Sequence, residues 1–580
     1  MTFLYNQPFL VTTGRITRNI ESAKVLIAGD WCSEIAEKLS KNNTTEMIDY
    51  PISSLDAAQI KKEIGVVFDA LLSKVAAAYN EVFGLNKNEK YYKIVLGRWI
   101  YHFLHNLYEK RAILNRAITK HHDVWMESCG KTYSLSFDSD GYNQMSYSSH
   151  DFNYQMYSGV AEFCGIKKKY INIDSIATPR TTPNITKKES LRSSLQHFIC
   201  VLNRFFRNRM TLVVSPYYQK NSLYNALWFF IKSHGEIVHH TFSPLLPSNK
   251  ELDISLRMEL SRKICGNNNQ NQLLNIASEL FFYFIPQSFV EYLNTYRKNA
   301  VDWIKEYPHM NRMFTANAIH TNEAFKYLVA EAQPRELCIS QHGAGYGFSE
   351  VQSSEDYENE LANYYFTWGW GDHVLPHPKL LSDRAIRYKS NKDIVFTFPT
   401  VTEYAGLLES FFIASTYQHT INLTDQLFEK ITPQILAKIV LRQRQKKGLR
   451  MYNPKIDMRK DCIPLFQESL KRARIHLSNH IGTPVLESLS MNLPTIIVYD
   501  PAAHKLRSSA IHFFEELKNA QILFEDSLKA AHHLNSIYTN IDEWWMSNTT
   551  QAAIRSFCFQ FARSDRNWKS AWLNALKFDT

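Results

Sequence analysis

The stretch Cys338–Asp372, CISQHGAGYGFSEVQSSEDYENELANYYFTWGWGD, decides the fold of this chain. An apolar lead-in, Leu337–Ile339, runs into a loop with three glycines in five positions, and an aromatic run, Tyr364–Trp368, follows an acidic segment. This alternation of strand, glycine loop, acidic segment and strand is typical of an open α/β sheet, in which ligands bind at the carboxyl ends of strands. Glycines also make ordinary tight turns, but a histidine and carboxylates in the same loop favour a site.

Three side chains of this stretch are candidate catalytic residues. Glu355 and Glu358 are three positions apart, so on a helical turn they share one face. Two close carboxylates push one pKa up, which gives one acid and one base. His342 can bind a donor carboxylate or assist departure of a leaving group. The alternative is that both glutamates are charges on a solvated helical face. The predicted donor-binding residues of the loop are Gln341, Gly343 and Gly345.

Length, composition and net charge restrict the classes of protein to which this chain can belong. The chain has 580 residues, of which 45% are hydrophobic and 13% aromatic, so we expect a globular protein with two or more domains. Its net charge of +10 fits an anionic partner such as a sugar nucleotide, a nucleic acid or a membrane surface, and also a merely basic protein. The eight cysteines are scattered without metal-ligand spacing, so reduced thiols in a cytosol are the simplest interpretation. Neither a signal peptide nor an apolar run of about 18 residues is recognisable, so any membrane contact is expected to be peripheral.

Strand and helix patterns alternate along the chain as a parallel sheet requires. The aromatic stripe of the second long helix is predicted to be core, and residues 121–190 are predicted to be irregular. The predicted strands are 24–30, 210–215, 236–242, 337–339, 364–368, 392–399, 438–442, 474–478 and 494–499. The predicted helices are 54–84, 90–120, 190–208, 222–234, 403–416, 425–438 and 484–491, with further helices over 250–310 and 541–580.

The irregular region contains a D-x-D motif, Asp138-Ser139-Asp140. In one class of glycosyltransferase this motif holds a divalent metal and a sugar diphosphate. Here Asp and Gly within a serine-rich stretch favour a turn instead.

Two prolines within His373–Lys379 mark a linker between two alternating α/β series. Two such series predict two facing Rossmann-like domains with helical insertions and C-terminal helices. The predicted divisions are 1–372 for the acceptor-side domain, 373–545 for the nucleotide-sugar-binding domain and 546–580 for terminal helices. In one arrangement of the fold, these terminal helices cross back to the N-terminal domain. In glycosyltransferases this is the GT-B arrangement, in which the donor nucleotide binds mostly to the C-terminal domain.

A second candidate site lies in HLSNHIGTPVLESL, residues 476–489, where a strand pattern ends at Ser478, a turn holds Gly482 and Thr483, and a helix begins near Pro484. Hydroxyls and N–H groups at a helix N-terminus favour phosphate, so Ser478 and Thr483 are predicted to bind the donor nucleotide. Glu487, one turn further, is predicted to accept ribose hydroxyls, and Arg442 to clamp a phosphate. The alternative is that these hydroxyls only cap the helix and that Glu487 completes the capping interaction.

Several motifs follow one another through most of the chain. They are GDWC at 29–32, YYKIVLGRWIYHFLHNLYEKR at 91–111, QHGAGYG at 341–347, Glu355 with Glu358, TWGWG at 367–371, GTPVLESLSMNLPTI at 482–496, EWW at 543–545 and FCFQFA at 557–562. In this order they resemble a bacterial family of O-antigen and capsule transferases. That family is similar to retaining transferases that use CMP-activated ulosonic acids, namely the capsule β-Kdo transferases and a pseudaminic acid transferase.

The resemblance implies a GT-B glycosyltransferase that moves a nonulosonic acid, with pseudaminic acid favoured over Kdo, from its CMP-activated form with retention. It implies a capsule or lipid-linked oligosaccharide acceptor, no metal or other cofactor, no nucleic acid, and a cytoplasmic protein with peripheral contact to the inner membrane. Two positions depart from the pattern. Asn363 stands where an Asp is usual, and no His-Pro pair lies beside Arg442. The alternatives are a CMP-Kdo transferase, a CDP-polyol phosphotransferase and a non-catalytic glycan assembly factor.

Overall fold

The structure is a computed structural model. It describes residues 3–5, 7–15, 20–22, 24–41, 43–53, 56–134, 136–171, 202–203, 209–216, 222–242, 245, 251–265, 270–378, 393–404, 414–443, 449–450, 452 and 454–578. Nearly all of the predicted helix 190–208, and most of the predicted helix 403–416, lie outside these ranges. The described residues form three parallel sheets and two small two-stranded ones.

The first parallel sheet lies in the N-terminal part of the chain. The elements here are β1 Phe3–Tyr5, β2 Phe9–Val11, β3 Ile20–Ser22, β4 Lys24–Ile27, α1 Ser33–Leu39, β5 Thr44–Met47, α2 Ala57–Val82, α3 Glu89–His121, β6 Trp125–Ser128, α4 Ser139–Ser148, α5 His150–Ala161 and β7 Lys167–Tyr170. Five strands pair in the order β5-β4-β2-β6-β7, all parallel. Counted along the chain, this is the doubly wound order 3-2-1-4-5.

Residues 121–190 were predicted to be irregular, and over 125–170 that prediction is wrong, because β6, α4, α5 and β7 lie there. The strands are only four residues long, and α5 carries polar side chains that a periodicity argument assigns to a surface. One of these, Asn153, is fully buried, and its amide donates to the carbonyls of Ser146 at 3.0 Å and Ser149 at 2.9 Å. Side-chain to backbone hydrogen bonds such as these, to residues four and seven positions earlier, let a polar side chain be buried without an apolar period in the sequence.

The second parallel sheet follows. The elements here are β8 Met210–Val214, α6 Ser222–Lys232, β9 Ile237–His240, α7 Ile254–Ile264, α8 Gln272–Phe284, α9 Leu293–Glu306, β10 Met310–Thr315, α10 Ala318–Thr321, α11 Glu323–Ala332, β11 Glu336–Ser340, α12 Ser353–Leu361, β12 Tyr364–Thr367 and β13 His373–Val374. The strand order is β13-β12-β11-β10-β8-β9. Counted from β9 this is 2-1-3-4-5-6, so the direction of winding reverses between β8 and β10.

The third parallel sheet lies in the C-terminal part. The elements here are β14 Asp393–Thr397, β15 Val401–Thr402, α13 Ala414–Lys430, α14 Pro433–Leu436, β16 Ile439–Arg442, β17 Leu449–Arg450, β18 Arg459–Lys460, α15 Phe466–Arg472, β19 Ala473–Ser478, α16 Thr483–Ser490, β20 Thr495–Val498, α17 Ile511–Asn519, β21 Leu523–Phe524, α18 Ser527–Ile537, α19 Ile541–Trp545, α20 Asn548–Phe561 and α21 Trp568–Leu576. The order β18-β16-β14-β19-β20-β21 is 3-2-1-4-5-6 along the chain. This is the order of dinucleotide-binding folds, with its crevice between β14 and β19.

The α/β fold class predicted from the alternating pattern is confirmed, and the second and third sheets correspond to the two predicted Rossmann-like units. Of the first sheet, the sequence pattern predicted only the strand 24–30, which is β4 at Lys24–Ile27, and did not reveal the sheet as a whole. It falls inside the span 1–372, which was assigned to one domain. The domain boundaries themselves stay a prediction.

The last helix, α21, packs on the second sheet rather than on the third. Trp572 is 1% exposed, its ring lies 5.2 Å from that of Phe314, and its indole N–H donates to the carbonyl of Pro376 at 2.8 Å. Burial of a large aromatic ring whose N–H is also satisfied is strongly stabilising. Within the described ranges, none of the helices combines the length and apolarity that a bilayer crossing requires.

Candidate functional site

The glycine loop 341–347 leaves the carboxyl end of β11 in a sharply turned conformation. Gly345 and Gly347 have φ of 95° and 77°, values that residues with a Cβ rarely adopt. A Cβ on Gly347 would also lie 2.6 Å from Cδ1 of Trp370. The glycines are therefore required by the backbone and by the neighbouring indole ring, as the sequence pattern indicated.

Gly347→Ala is expected to destabilise the protein by about 1–3 kcal/mol, because it combines a strained φ with a clash against Trp370. Urea unfolding curves at neutral pH measure this change. Gly343→Ala is the matched control, since a Cβ there meets only Tyr346 at an ordinary 3.8 Å. Equal unfolding midpoints for the two variants would show that the loop conformation does not depend on Gly347.

Gln341 was predicted to bind the donor, and the structure places it 1% exposed beneath the loop. Its carbonyl oxygen accepts from the backbone N–H of Trp368 at 3.1 Å and the indole N–H of Trp370 at 3.0 Å. Its amide donates to the carbonyl of Gly343 at 3.0 Å. Gln341 therefore joins the glycine loop to the TWGWG motif. This structural role was not predicted, since the sequence indicated only donor binding.

Glu358 on α12 is the centre of a buried hydrogen-bond network. One carboxylate oxygen, Oε1, accepts from His320 Nε2 at 2.5 Å and lies 3.0 Å from His342 Nδ1. The same oxygen accepts from the hydroxyl of Tyr346 at 3.0 Å. The other oxygen accepts from the hydroxyl of Tyr365 at 2.9 Å. Four donors from three segments, namely α10, the glycine loop and β12, thus converge on one carboxylate whose side chain is 0% exposed.

Burial alone would raise the pKa of Glu358, but the facing imidazoles of His342 and His320 outweigh it and lower the pKa to about 2. The carboxylate is therefore ionised at neutral pH. A carboxylate with so low a pKa and no exposed surface is a poor general base. The catalytic role assigned to Glu358 from the sequence stays a prediction.

Glu355 has a different environment from Glu358, although both lie on α12. One oxygen accepts the backbone N–H of Gly347 at 2.8 Å, and the other pairs with the Arg507 guanidinium at 2.7 Å. Burial raises the pKa of Glu355, and Arg507 lowers it in part. Glu355 therefore ties the glycine loop to the segment after β20 of the third sheet. The alternative that both glutamates lie on a solvated face is wrong, since they are 6% and 0% exposed.

His342 is the member of the network that reaches solvent. Its side chain is 24% exposed, whereas that of Glu358 is fully buried. Proteins use a histidine whose ring is oriented by a buried carboxylate for proton transfer near neutral pH. The predicted catalytic set is thus brought together, with His342 at the surface of the site and the two glutamates behind it.

His320 and Arg98 also belong to the site, although the sequence did not predict them. His320 lies in α10, in a segment without any recognisable motif, and burial lowers its pKa to about 4, so it is neutral at pH 7. Arg98 lies on α3, where the sequence predicted only core, and its guanidinium donates to the hydroxyls of Ser353 and Ser354 at 3.2 Å and 3.0 Å. A single charge inside the apolar run IVLGRWI at 94–100 is the signal that could have identified Arg98.

His320, His342 and Glu358 also form a set of donors that could hold a metal ion. Two imidazoles and a carboxylate suit divalent transition metals. A metal-bound histidine donates its other ring N–H to an acceptor, yet Nδ1 of His320 is buried without a hydrogen-bond partner among the described residues. A neutral His320 that donates from Nε2 to Glu358 carries no proton on Nδ1, so the unpaired atom is an acceptor and not a donor. The three residues therefore fit a hydrogen-bonded network better than a metal centre.

The second predicted site lies where the strand order of the third sheet reverses, the usual place for a ligand in an open α/β sheet. Thr483 begins α16, and it and Glu487 are half-buried. The hydroxyl of Thr483 accepts the backbone N–H of Ala344 at 3.3 Å. The glycine loop of the second sheet and the helix N-terminus of the third sheet therefore meet directly.

Ser478 and Arg442 were predicted to bind the nucleotide, and the structure engages both with internal partners. Ser478 is 0% exposed, and its hydroxyl accepts from Thr397 at 3.0 Å and donates to the carbonyl of His480 at 2.8 Å. Arg442 donates to Asp461 at 2.9 Å. Burial raises the pKa of Asp461, but the hydrogen bonds from Ser469 and Arg442 outweigh burial and lower that pKa below its usual value. Ser478 is thus closed to a ligand, whereas Arg442 is half-buried and its nucleotide-binding role stays a prediction.

Asn363, at the position where an Asp is usual, has a structural partner. Its side-chain oxygen accepts the backbone N–H of Leu337 at 2.8 Å, so it joins the start of β11 to the start of β12. An Asn or an Asp oxygen makes this hydrogen bond equally well. The departure from the pattern therefore leaves the local structure intact.

Comparison with known proteins identifies the family. The sequence matches the LIC12162 family transferase description over residues 8–576. The chain belongs to this family of transferases. The match confirms the predicted transferase class. No curated protein matches the sequence.

One solved structure that matches is described as "Crystal Structure Analysis of the Glycotransferase of kitacinnamycin". It is 10% identical, the alignment covers 82% of this chain and 95% of that chain, and the TM-score is 0.23. A TM-score this low carries no argument about the fold or the function of the LIC12162 family member.

Proposed function

We propose that this transferase is a glycosyltransferase that moves a nonulosonic acid, with pseudaminic acid favoured, from its CMP-activated form to a capsule or O-antigen glycan. The observation that carries the proposal is the contact between Ala344 and Thr483. It brings the His342–Glu358 pair to the N-terminus of α16. A transferase of activated sugars needs this combination, in which a nucleotide site adjoins a group that transfers protons.

The nucleotide side of the proposal rests on the third sheet. Its strand order is that of dinucleotide-binding folds, and α16 begins with Thr483-Pro484 at the crevice. The positive end of the helix dipole and the N–H groups of its first turn favour the CMP phosphate. Glu487, one turn later, is placed for the ribose hydroxyls. This arrangement supports a GT-B enzyme with its donor bound to the C-terminal unit.

The reaction side of the proposal rests on His342. The buried Glu358 holds its ring, and His342 stands two residues before Ala344, whose backbone N–H contacts Thr483. In this position His342 donates a proton to the CMP phosphate as the bond to the sugar breaks. Glu355 and Glu358 are supporting residues in this scheme, because both are buried and hydrogen-bonded.

The acceptor and its location are part of the same proposal. A capsule or lipid-linked oligosaccharide at the inner membrane is the acceptor, and peripheral contact brings the enzyme to it. The net charge of +10 supports an approach to an anionic surface. No metal, other cofactor or nucleic acid takes part in the proposed reaction.

Thr483→Ala and Glu487→Ala are each expected to weaken CMP binding at least about tenfold, because a hydrogen bond to a charged group contributes roughly 1.5–3 kcal/mol. Isothermal titration with CMP measures the change, and unfolding curves show that the variants are folded. Ser490→Ala, in the last turn of the same helix, is the matched control and should bind CMP normally. Unchanged CMP affinity in both test variants would remove the nucleotide from this crevice.

The experiment that tests the function has two stages. Thermal shifts with CMP, CDP, UDP and GDP identify the nucleotide, and purified enzyme is then incubated with a panel of CMP-sugars and synthetic acceptors. Selectivity for CMP and transfer from CMP-pseudaminic acid support the proposal. Transfer from CMP-Kdo alone would correct the sugar. Selectivity for CDP would favour a polyol phosphotransferase, and no response to any nucleotide would favour a non-catalytic assembly factor.

A further inference from the structure

Helix α6 of the second sheet has apolar side chains on two opposite faces. Its inner face packs into the core, where Ala226 is 2% and Phe229 is 0% exposed. Its outer face carries a second apolar row at i, i+3, i+4 and i+7 spacing. We call this row the outer stripe, and its residues are Tyr224, Leu227, Trp228 and Ile231.

The outer stripe is accessible at both ends. Tyr224 is 60% and Ile231 67% exposed, and the two residues between them in the stripe are half-buried. A helix on the surface of a globular protein usually turns a polar face outward, so an apolar outer face indicates a partner.

Helix α21 brings an ammonium group onto the outer stripe. Nζ of Lys569 lies 4.5 Å from the ring centroid of Tyr224 and 5.4 Å from that of Trp228. The neighbouring Trp568 adds a third ring at 5.7 Å from the same atom. Aromatic rings within about 6 Å attract a cation. The apolar surface therefore carries a positive charge that its own aromatic rings hold in place.

The charges on these two helices have one sign. α6 ends with the exposed Lys232 and α21 contains Lys569, whereas neither helix contains an aspartate or a glutamate. Tryptophan and tyrosine rings favour the headgroup level of a bilayer, and lysines are attracted to anionic lipids. A surface of aromatic, aliphatic and lysine side chains without carboxylates thus complements an anionic bilayer.

A second copy of the chain complements this face less well. Two-fold symmetric association sets the same surface of each copy against the other. Both lysines would then face their own counterparts, and like charges placed opposite each other oppose association. An anionic bilayer instead neutralises the lysines and takes up the apolar side chains beside them.

We propose that the outer stripe, with Lys232 and Lys569, is the surface by which the protein docks on an anionic lipid bilayer. Tyr224 and Ile231 enter the headgroup region, and the two ammonium groups pair with lipid phosphates. This inference rests on the proposed function, because it names the surface for the membrane approach that a lipid-linked acceptor requires. α6 joins β8 to β9 of the sheet whose β11 carries the glycine loop, so docking holds this sheet at the membrane.

Vesicle sedimentation with the full chain tests the inference. The wild type should bind vesicles that contain phosphatidylglycerol, bind phosphatidylcholine vesicles much less, and lose binding as NaCl screens the charges. Tyr224→Ser combined with Ile231→Ser should weaken binding at least about tenfold, because two large apolar side chains are removed. Lys569→Glu should weaken it at least about fivefold, because a basic residue near an anionic surface contributes about that factor. No binding of the wild type to anionic vesicles would overturn the inference.

Matched substitutions on the third-sheet side are the controls. Ile511→Ser combined with Met546→Ser changes apolar side chains that are 47% and 57% exposed. Lys529→Glu reverses the charge of an exposed lysine on α18. Both control proteins should bind anionic vesicles like the wild type. Wild-type binding by the outer-stripe variants, or an equal loss in the controls, would overturn the inference.

Two other occupants of the outer stripe would give different results. If a second copy covers it, the wild type sediments as a dimer in analytical ultracentrifugation, and Tyr224→Ser with Ile231→Ser as a monomer. If other residues of the same chain cover it, this double variant unfolds at a much lower urea concentration than the control double variant does. Either result would overturn docking on a bilayer.

Failure of this inference and failure of the proposed function are distinct results. Vesicle binding needs neither a CMP-sugar nor an acceptor. Unchanged vesicle binding in the outer-stripe variants, with normal transfer to a water-soluble acceptor, overturns the docking surface alone. No transfer with any CMP-sugar, with vesicle binding that depends on the outer stripe, overturns the proposed transfer and supports the docking surface.

Discussion

His342→Ala is expected to fold and to bind CMP like the wild type, yet to lose transfer by a factor of about 10² or more. The side chain is 24% exposed, so its removal leaves no large cavity in the core. The lost rate reflects the lost proton transfer to the departing phosphate. Transfer assays with saturating CMP-sugar, together with calorimetric CMP titrations, measure the two quantities separately.

Two further variants make the His342 result specific. His342→Gln restores a hydrogen-bond donor for Glu358 but cannot transfer a proton, so it should be as slow as His342→Ala. His419→Ala removes a histidine that is 55% exposed on the third-sheet side and should have full activity. If His342→Gln transfers sugar at the wild-type rate, His342 positions other groups rather than taking part in proton transfer.

The wild-type protein is expected to lose roughly 3 kcal/mol of stability through Glu358 as the pH falls from about 4.5 to about 2. The pKa of Glu358 is lower in the folded chain than in the unfolded chain. Its contribution is therefore fully present above the unfolded pKa and is lost as the pH falls through the folded one. His320 adds to the loss between pH 6.5 and about 4, because burial keeps it neutral in the fold while the unfolded chain takes up a proton. Urea unfolding at several pH values measures both effects.

Glu358→Gln tests whether the network produces this acid sensitivity. Removing the charge leaves the donors of His320, His342, Tyr346 and Tyr365 without a carboxylate, and breaking a buried ionic contact costs about 3–5 kcal/mol. We therefore expect a less stable protein at pH 7 with a flatter dependence between pH 4.5 and 2. Glu360→Gln is the control, because Glu360 is 56% exposed in its pair with Lys93 and such pairs contribute little. Parallel stability curves for wild type and Glu358→Gln would assign the acid sensitivity to other residues.

The comparison of Glu355 with Glu358 shows where reasoning from sequence stopped. Their i, i+3 spacing predicted a shared face if the segment is helical, and the structure shows that helix as α12. The two pKa values do move apart. The cause is different from the one expected, since burial raises one pKa and histidines lower the other. These partners come from α10, from the glycine loop and from the segment after β20, and no local pattern encodes such distant contacts.

Ser478 and Thr483 illustrate the same limit in the third sheet. Both are hydroxyl residues near the start of α16, so helix-terminus chemistry treats them alike. The structure buries Ser478 against Thr397 and exposes part of Thr483 beside Ala344. The difference arises because β19 is a central strand whose last side chain points into the core, and that position is decided by sheet order.

The sequence by itself determined the α/β class, most strands and helices of the second and third sheets, and the glycine loop. These features follow from local rules, namely the apolar periodicity of strands and helices and the backbone freedom that Gly345 and Gly347 supply. Only the tertiary structure decided that the N-terminal residues form a doubly wound sheet of their own, the first sheet. It also decided that His342 is the exposed member of its network and that Arg442 binds Asp461. The physical reason is that burial and hydrogen-bond partners are set by contacts between segments far apart in the chain, which sheet order brings together.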